Sequence, residues 1–323
     1  MNDETRWPRI AVLGAGAVGS YFGGMLARAG APVVMIGRAA FVETVRKSGL
    51  LLDTVQFRET VHPEASTEIA AAKGADVVLL SVKTTDTAAA SQELAKDISP
   101  HAIAVSLQNG VDNVEEIRRA SGIAALPAVV YVAAAMSAPG QLKHLGRGDL
   151  VVGPKSKETE MIANLFSRAH VPCRISENIE GELWTKLVWN CALNAVSGLG
   201  RATYGEIIAS PDAKRVVEAA VHEVLAVAKA KGIHPPGLED PEMAVAGAFK
   251  IAKQMSGTRS STAQDMARNK KTEIDSLNGH VARLGEELKV PVPVNHALYT
   301  LVKLYEACGK DSAQGRAGAW NGM

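Results

Sequence analysis

A chain of 323 residues is longer than one typical hydrophobic core, so two domains are the first expectation. Hydrophobic residues at 47% and charged residues at 21% are the balance of an ordinary globular protein, with ample apolar material to bury. Lys+Arg 35 against Asp+Glu 34 leave a formal charge of +1, which argues against a general pull on nucleic acid or an anionic membrane.

The opening MNDETRWPRI is polar and acidic before it turns apolar, unlike a signal peptide. Arg9–Leu13 is a short apolar run leading into glycines, the look of a buried parallel strand. Ala17–Ala29 carries apolar residues at helical spacing and ends at Gly30, and Pro32–Ile36 is a second strand closed by Gly37 and Arg38. Strand, helix and strand in about 30 residues make a βαβ unit. The alternation continues with a strand at Ala75–Val82, a helix at Asp86–Asp97, a strand at Ala102–Leu107 and a helix at Asp112–Ala120 capped by Asp112. Such alternation predicts an α/β domain with a doubly wound parallel sheet of Rossmann type. Strand-like pieces at Val129–Ala134 and Leu150–Val152 follow, with Gly140, Gly146 and Gly148 as turns. A helix over Glu158–Ala169 and a strand at Pro172–Ile175 complete the domain.

From Ile179 the texture changes to long helical patterns, Glu182–Leu199, Asp212–Lys231 and Thr262–Leu288. The expected division is an N-terminal Rossmann domain over 1–178 and a C-terminal all-helical domain over 179–323. The apolar runs, Ala125–Ala138 included, fall short of a bilayer span, so no membrane association is expected. Cys173, Cys191 and Cys308 are odd in number and widely spaced, which fits a reducing cytosol better than a disulfide framework. The eight histidines show no metal-ligand spacing, and no metal is expected.

Gly14-Ala15-Gly16-Ala17-Val18-Gly19 matches G-x-G-x-x-G between a predicted strand and a predicted helix, the context in which the pattern binds a dinucleotide. Gly14 allows the tight turn, Gly16 lets the backbone approach a pyrophosphate, and Gly19 lets the helix pack on the sheet. The helix N-terminus offers N–H groups and a positive dipole end to the phosphates. Met35-Ile36-Gly37-Arg38 has no acid where an NAD-specific site places one, and Arg38 can pair with a 2′-phosphate. NADPH is therefore the expected cofactor, the alternative being that Arg38 is a solvated loop residue. Ser81-Val82-Lys83 and Gln108-Asn109-Gly110 follow strands at the edge where ligands of such sheets sit. Asn-Gly is also an ordinary turn signal.

In the helical half, Lys186, Asn190 and Asn194 recur at i, i+4 and i+8 and form a polar row on a largely apolar helix. The row reads either as a solvent-facing stripe or as a functional face, since asparagine is a poor choice for an exposed helix interior. Ser260-Ser261-Thr262-Ala263-Gln264-Asp265 suits a helix cap, with Thr262-x-x-Asp265 as a capping signal. Periodicity alone reads Glu273 and Asp275 as surface charges on one long amphipathic helix.

Taken together, the glycine loop, Val82-Lys83, Gln108-Asn109-Gly110, the Lys186/Asn190/Asn194 helix, Ser260-Ser261…Gln264-Asp265 and Thr272-Glu273-Ile274-Asp275 resemble the ketopantoate reductase (2-dehydropantoate 2-reductase) family over essentially the whole chain. The resemblance implies NADPH-dependent reduction of 2-dehydropantoate to (R)-pantoate, on the route to pantothenate and coenzyme A, with the active site in a cleft between the domains. It implies Lys186 as general acid, Glu273 holding the substrate, and Asn109, Asn190, Asn194 and Ser261 contacting it. Lys83 and Asn109, with the glycine loop and Arg38, would serve the cofactor. The expected partners are a small 2-keto acid and, as an assembly, a homodimer. Two other readings share much of this pattern: an oxidoreductase of the 6-phosphogluconate or hydroxyacid dehydrogenase type, and a non-catalytic NADP-binding sensor.

Overall fold

The computed structural model describes residues 6–312; the start of the polar opening segment (1–5) and residues 313–323 lie outside them. The chain divides into two compact units, Met1–Ile179 and Glu180–Met323.

The first unit is built on one mixed sheet. Its parallel half comprises β1 (Ile10–Leu13), β2 (Val33–Ile36), β5 (Glu64–Ser66), β6 (Val77–Leu80) and β7 (Ile103–Ser106), in the order β7-β6-β1-β2-β5. Strands β1, β2 and β6 are buried along their whole length, so they read as unbroken apolar runs rather than alternating ones. Alternate residues of β1 serve two cores. Ile10 and Val12 pack with Phe22 and Leu26 of α1 (Ala17–Arg28) and Phe166 of α5 (Lys157–Arg168). Ala11 and Leu13 pack with Leu94 of α3 (Thr87–Leu94) and Ile117 of α4 (Asn113–Ser121) on the opposite face. Helices on both faces of a parallel sheet are the doubly wound arrangement.

Beyond β7 the sheet departs from the expected pattern. The two strand-like pieces are parts of a long antiparallel hairpin, β8 (Ala125–Ala138) and β9 (Gln141–Val152). Gly140, at φ +67°, is its turn, whereas Gly146 and Gly148 are not turns but sit at breaks in the register where β9 carries extra residues. A parallel strand β3 (Leu50–Asp53) extends this half, carrying antiparallel β4 (Arg58–Val61) at its edge, and β10 (Cys173–Ile175) also joins β9. A helix α2 (Ala39–Ser48), absent from the sequence reading, precedes β3. Asp112 does stand at the N-cap of α4, but its side chain makes no capping hydrogen bond.

Over its described residues the second unit is built of helices: α6 (Ile179–Gly200), α7 (Tyr204–Ala209), α8 (Pro211–Ala230), α9 (Pro241–Gln254), α10 (Ser261–Ala267), α11 (Asn278–Leu288) and α12 (Pro293–Ser312). The expected single helix over Thr262–Leu288 is overturned. It ends at Ala267 because Asn269 takes a left-handed φ of +51°, and the N–H groups of Asn269 and Lys270 turn back to the carbonyls of Met266 and Asp265. The chain then makes a short 3-10 turn, Ile274–Ser276, before α11. The cap of α10 is Ser260, which accepts from the Ala263 N–H, and not the Thr262/Asp265 pair.

Candidate functional site

In the first unit the glycine loop follows β1 and opens α1. Gly14 has a φ of +108°, and a Cβ there would lie 2.5 Å from the Val82 nitrogen, so both conformation and space exclude other residues. Gly19 faces the Gly14 carbonyl and the Ser81 hydroxyl, which itself donates to the Gly14 oxygen at 2.7 Å. Gly16 differs: a Cβ there meets nothing within 4 Å. Its need for glycine is thus not internal packing, and the open side of the loop fits the close approach of a pyrophosphate. The first ladder bond of α1 runs from the Ser20 N–H to the Gly16 carbonyl, so the N–H groups of Ala17, Val18 and Gly19 precede the ladder. The residues present therefore fit a dinucleotide phosphate group.

Register places the other first-unit candidates at the same sheet edge. Leu13 pairs with Ile36 and with Leu80, and Leu80 with Ser106, so the residues that follow them emerge together at the carboxyl ends of the strands. Arg38 caps α2 in extended conformation, is exposed, and pairs with no carboxylate among the described residues. Lys83 is partly buried at the start of the 3-10 turn Thr84–Asp86. Gln108 clips the edge together, donating to the Val82 carbonyl at 3.0 Å and to Thr87 Oγ1 at 2.7 Å. Asn109 is partly buried beside Gly110 at φ +98°, and its carbonyl accepts from the Asn113 side chain at 2.6 Å.

In the second unit the row on α6 is not a solvent-facing stripe. Lys186 and Asn190 are partly buried and Asn194 is 4% exposed. Asn194 donates to Asn190 Oδ1 at 3.3 Å and accepts from the Tyr204 hydroxyl at 3.1 Å. Burial pushes the Tyr204 hydroxyl up to about 12, so it remains a donor at neutral pH. The row is thus oriented from its buried end outward. Ser260 donates to the Asn194 carbonyl at 2.9 Å, and its own N–H donates to Ser197 Oγ at 3.1 Å. Those bonds fix the start of α10, where Ser261 is exposed, against α6. Gly198 lets α10 approach, since a Cβ there would lie 2.7 Å from Met266 Sδ.

The segment carrying Glu273 is anchored from the other side. The Thr272 N–H and hydroxyl both donate to Glu306 Oε1 at 2.7 Å. Asp275 accepts from Lys303 at 2.8 Å and from the Tyr299 hydroxyl at 3.1 Å, so it is not a simple surface charge. Burial alone would push the Asp275 carboxyl up, but the Lys303 hydrogen bond and charge, with Tyr299 and Lys271, hold it below its usual value. Glu273, at the head of the turn, is partly buried. Asn278, two residues after the turn, donates to the Cys191 carbonyl of α6 at 3.0 Å. The segments around Ser261 and Glu273 are therefore both attached to the helix that bears Lys186, across 66 and 87 positions of sequence.

Sequence reasoning missed Tyr204 and Asn278. Each acts through a long-range bond to a residue on another helix, and neither stands in a recognisable spacing with its partner. Among the described residues no group of three or more His, Cys, Asp or Glu could hold a metal ion, and no helix is long and apolar enough to cross a membrane.

Family models match both halves of the chain: "Ketopantoate reductase PanE/ApbA" over residues 10–157 and "Ketopantoate reductase PanE/ApbA C terminal" over residues 178–306. The chain belongs to the ketopantoate reductase family. It is 31% identical over 308 residues to a 2-dehydropantoate 2-reductase of Pyrococcus horikoshii, covering 94% of this chain and 99% of that one. A PanE/ApbA family ketopantoate reductase from Ralstonia eutropha JMP134 superposes with a TM-score of 0.88 at 42% identity, covering 94% of this chain and 99% of that chain. A D-mandelate dehydrogenase solved with NADH and anilino(oxo)acetate shares the fold, with a TM-score of 0.85 at 24% identity over 93% of this chain and 99% of that one. The chain is thus an oxidoreductase of the ketopantoate reductase family.

Proposed function

We propose that this ketopantoate reductase-family chain reduces 2-dehydropantoate to (R)-pantoate with NADPH in the cytoplasm, a step towards pantothenate and coenzyme A. The observation that carries the reading is the attachment of the Ser261 and Glu273 segments to the α6 row through hydrogen bonds to the Asn194 and Cys191 carbonyls. NADPH, when bound, would supply the hydride for the keto carbon. Gly14, Ala15, Gly16, Ala17, Val18 and Gly19 hold its pyrophosphate, Arg38 its 2′-phosphate, and Lys83 and Asn109 lie at the same strand edge.

The rest of the reaction belongs to the second unit. Negative charge developing on the keto oxygen needs a positive group and then a proton, and the Lys186 ammonium provides both. Asn190, oriented by Asn194 and Tyr204, offers donor and acceptor atoms to the substrate hydroxyl. Ser261 bonds the carboxylate, and Glu273 holds the substrate. A neutral, uncatalytic sensor would have no need of an ammonium and a carboxylate fixed to one helix.

The alternative is another small 2-keto acid. A protein of the same fold carries the name D-mandelate dehydrogenase and binds NADH with anilino(oxo)acetate, which makes both cofactor and substrate worth varying. The test follows the absorbance of NADPH and of NADH on mixing the enzyme with 2-dehydropantoate and a panel of 2-keto acids. Oxidation of NADPH with 2-dehydropantoate at the highest kcat/KM is the expected result. Preference for NADH, or for a keto acid without a hydroxyl, would overturn the reading.

A further inference from the structure

Asn278 is fully buried, and no chemical step described above falls to its side chain, which attaches the Glu273 segment to α6. Its Nδ2 makes two hydrogen bonds, to the Cys191 carbonyl of α6 at 3.0 Å and to Asn295 Oδ1 of α12 at 2.9 Å. Asn295 is equally buried and donates onward to Glu223 Oε2 at 2.8 Å and to the Ala220 carbonyl at 3.2 Å, both on α8. Glu223 in turn accepts the Val294 and Asn295 N–H groups at the start of α12, at 2.9 and 2.8 Å. One polar chain therefore runs from α8 through α12 to the head of α11 and ends on the backbone of α6.

The end of that chain is where the site is assembled. Cys191 follows Asn190 directly, and Asn278 stands two residues beyond the turn Ile274–Ser276 that Glu273 heads. Thr272 and Asp275 tie the turn to α12, and Asn278 ties it to α6. Ile274 also packs in one apolar cluster with Ala195 of α6, but apolar packing is non-directional and sets no register along a helix. A hydrogen bond to one particular carbonyl does set it.

The amide is a poor choice if packing were its purpose. Its Oδ1 is buried without a hydrogen-bond partner, a penalty that an apolar side chain of similar volume would not carry. The donor side has a use that leucine could not supply.

We propose that Asn278 is a positioning residue, which holds the Glu273 turn in register with the Lys186–Asn190 stretch of α6 so that ammonium and carboxylate meet one substrate. The proposal rests on the roles given above to Lys186 and Glu273.

The test is Asn278→Leu in two backgrounds, wild type and Glu273→Gln, assayed with the 2-keto acid that the wild type reduces best. In the wild-type background kcat/KM falls roughly 10-fold to 100-fold, the size of coupling between groups that share a network. The NADPH Kd, governed by the other unit, stays unchanged. In the Glu273→Gln background the same substitution costs less than about threefold, because the carboxylate it positioned is gone. An equal loss in both backgrounds, or no loss in the wild type, overturns the proposal. If the leucine variant folds poorly, Asn278→Ser, smaller and still polar, gives the same comparison. Amide hydrogen exchange supplies a readout without turnover: residues 272–277 and 186–195 exchange faster in the variant while α9 does not. A wild type that reduces no 2-keto acid would sink the functional reading alone; unchanged exchange in both segments would sink the positioning role.

Discussion

At Arg38 the account depends on one exposed guanidinium at the end of β2, with no acid beside it to repel a 2′-phosphate. Replacing it with alanine should weaken NADPH binding by about 1.5–3 kcal/mol, the contribution of a charge-assisted hydrogen bond, and leave NADH little changed. Titration of both cofactors into both proteins checks it; equal NADPH affinities would make Arg38 a solvated loop residue. Lys186→Ala should lose on the order of 10²–10⁴-fold in turnover while still binding NADPH, since the glycine loop belongs to the other unit. In the wild type, kcat/KM should fall as rising pH deprotonates the lysine, because only the ammonium can give a proton. Stopped-flow reduction at several pH values, with both proteins, reads both effects, and near wild-type turnover in the variant would reduce Lys186 to a structural role. At this scale the sequence was legible where local rules hold. Gly14, Gly16 and Gly19 stand in one six-residue pattern directly after an apolar run, and the i, i+4, i+8 row is a property of any helix. Tyr204 and Asn278 were not legible, since their bonds to Asn194 and to the Cys191 carbonyl span 10 and 87 positions. Asp275 was misread as a simple surface charge by periodicity alone, since its bonds to Tyr299 and Lys303 span 24 and 28 positions.

Among the elements, the break after α10 matters most, because it turns a continuous helix into a short helix and a turn that presents Glu273. Apolar spacing from Met266 to Leu288 suggested continuity, and one left-handed residue, Asn269, defeats it. The β8–β9 hairpin was read only as fragments for a related reason: breaks in its register at Gly146 and Gly148 spoil the period of two on which strand recognition relies. The parallel half of the sheet, by contrast, was clear, since fully buried strands are short apolar runs between glycines. The Glu273 turn is braced by the Asp275–Lys303 pair, whose titration has a definite sign. The Asp275 carboxyl is held below its ordinary 3.8 in the folded protein, so the pair stabilises the fold above that pH and the stabilisation disappears as pH falls below it. Both side chains are about one-third exposed, at 33% and 35%, and at neutral pH the pair is worth at most about 1 kcal/mol after screening. Denaturant unfolding of wild type and Asp275→Asn should differ at pH 7 and converge on acidification through this range. A difference that persists in acid would mean that shape, not charge, makes the contribution.

For the whole molecule, length and composition pointed to two domains and a near-neutral charge, and the chain falls into two compact units, Met1–Ile179 and Glu180–Met323. Family membership covers both, through the matches at 10–157 and 178–306. The division of labour proposed here gives cofactor binding to the sheet unit and substrate binding with proton donation to the helical unit. Substrate identity is the sharpest consequence of that division. A site whose Asn190 is oriented by Asn194 and Tyr204 to bond a hydroxyl is left with unpaired polar groups when that hydroxyl is missing. Such sites can reject the lacking analogue by on the order of 10⁴-fold or more. The direct measurement is kcat/KM with NADPH for 2-dehydropantoate against 2-oxoisovalerate, which lacks the hydroxymethyl group. The account predicts a strong preference for 2-dehydropantoate, and equal values for the two would contradict it.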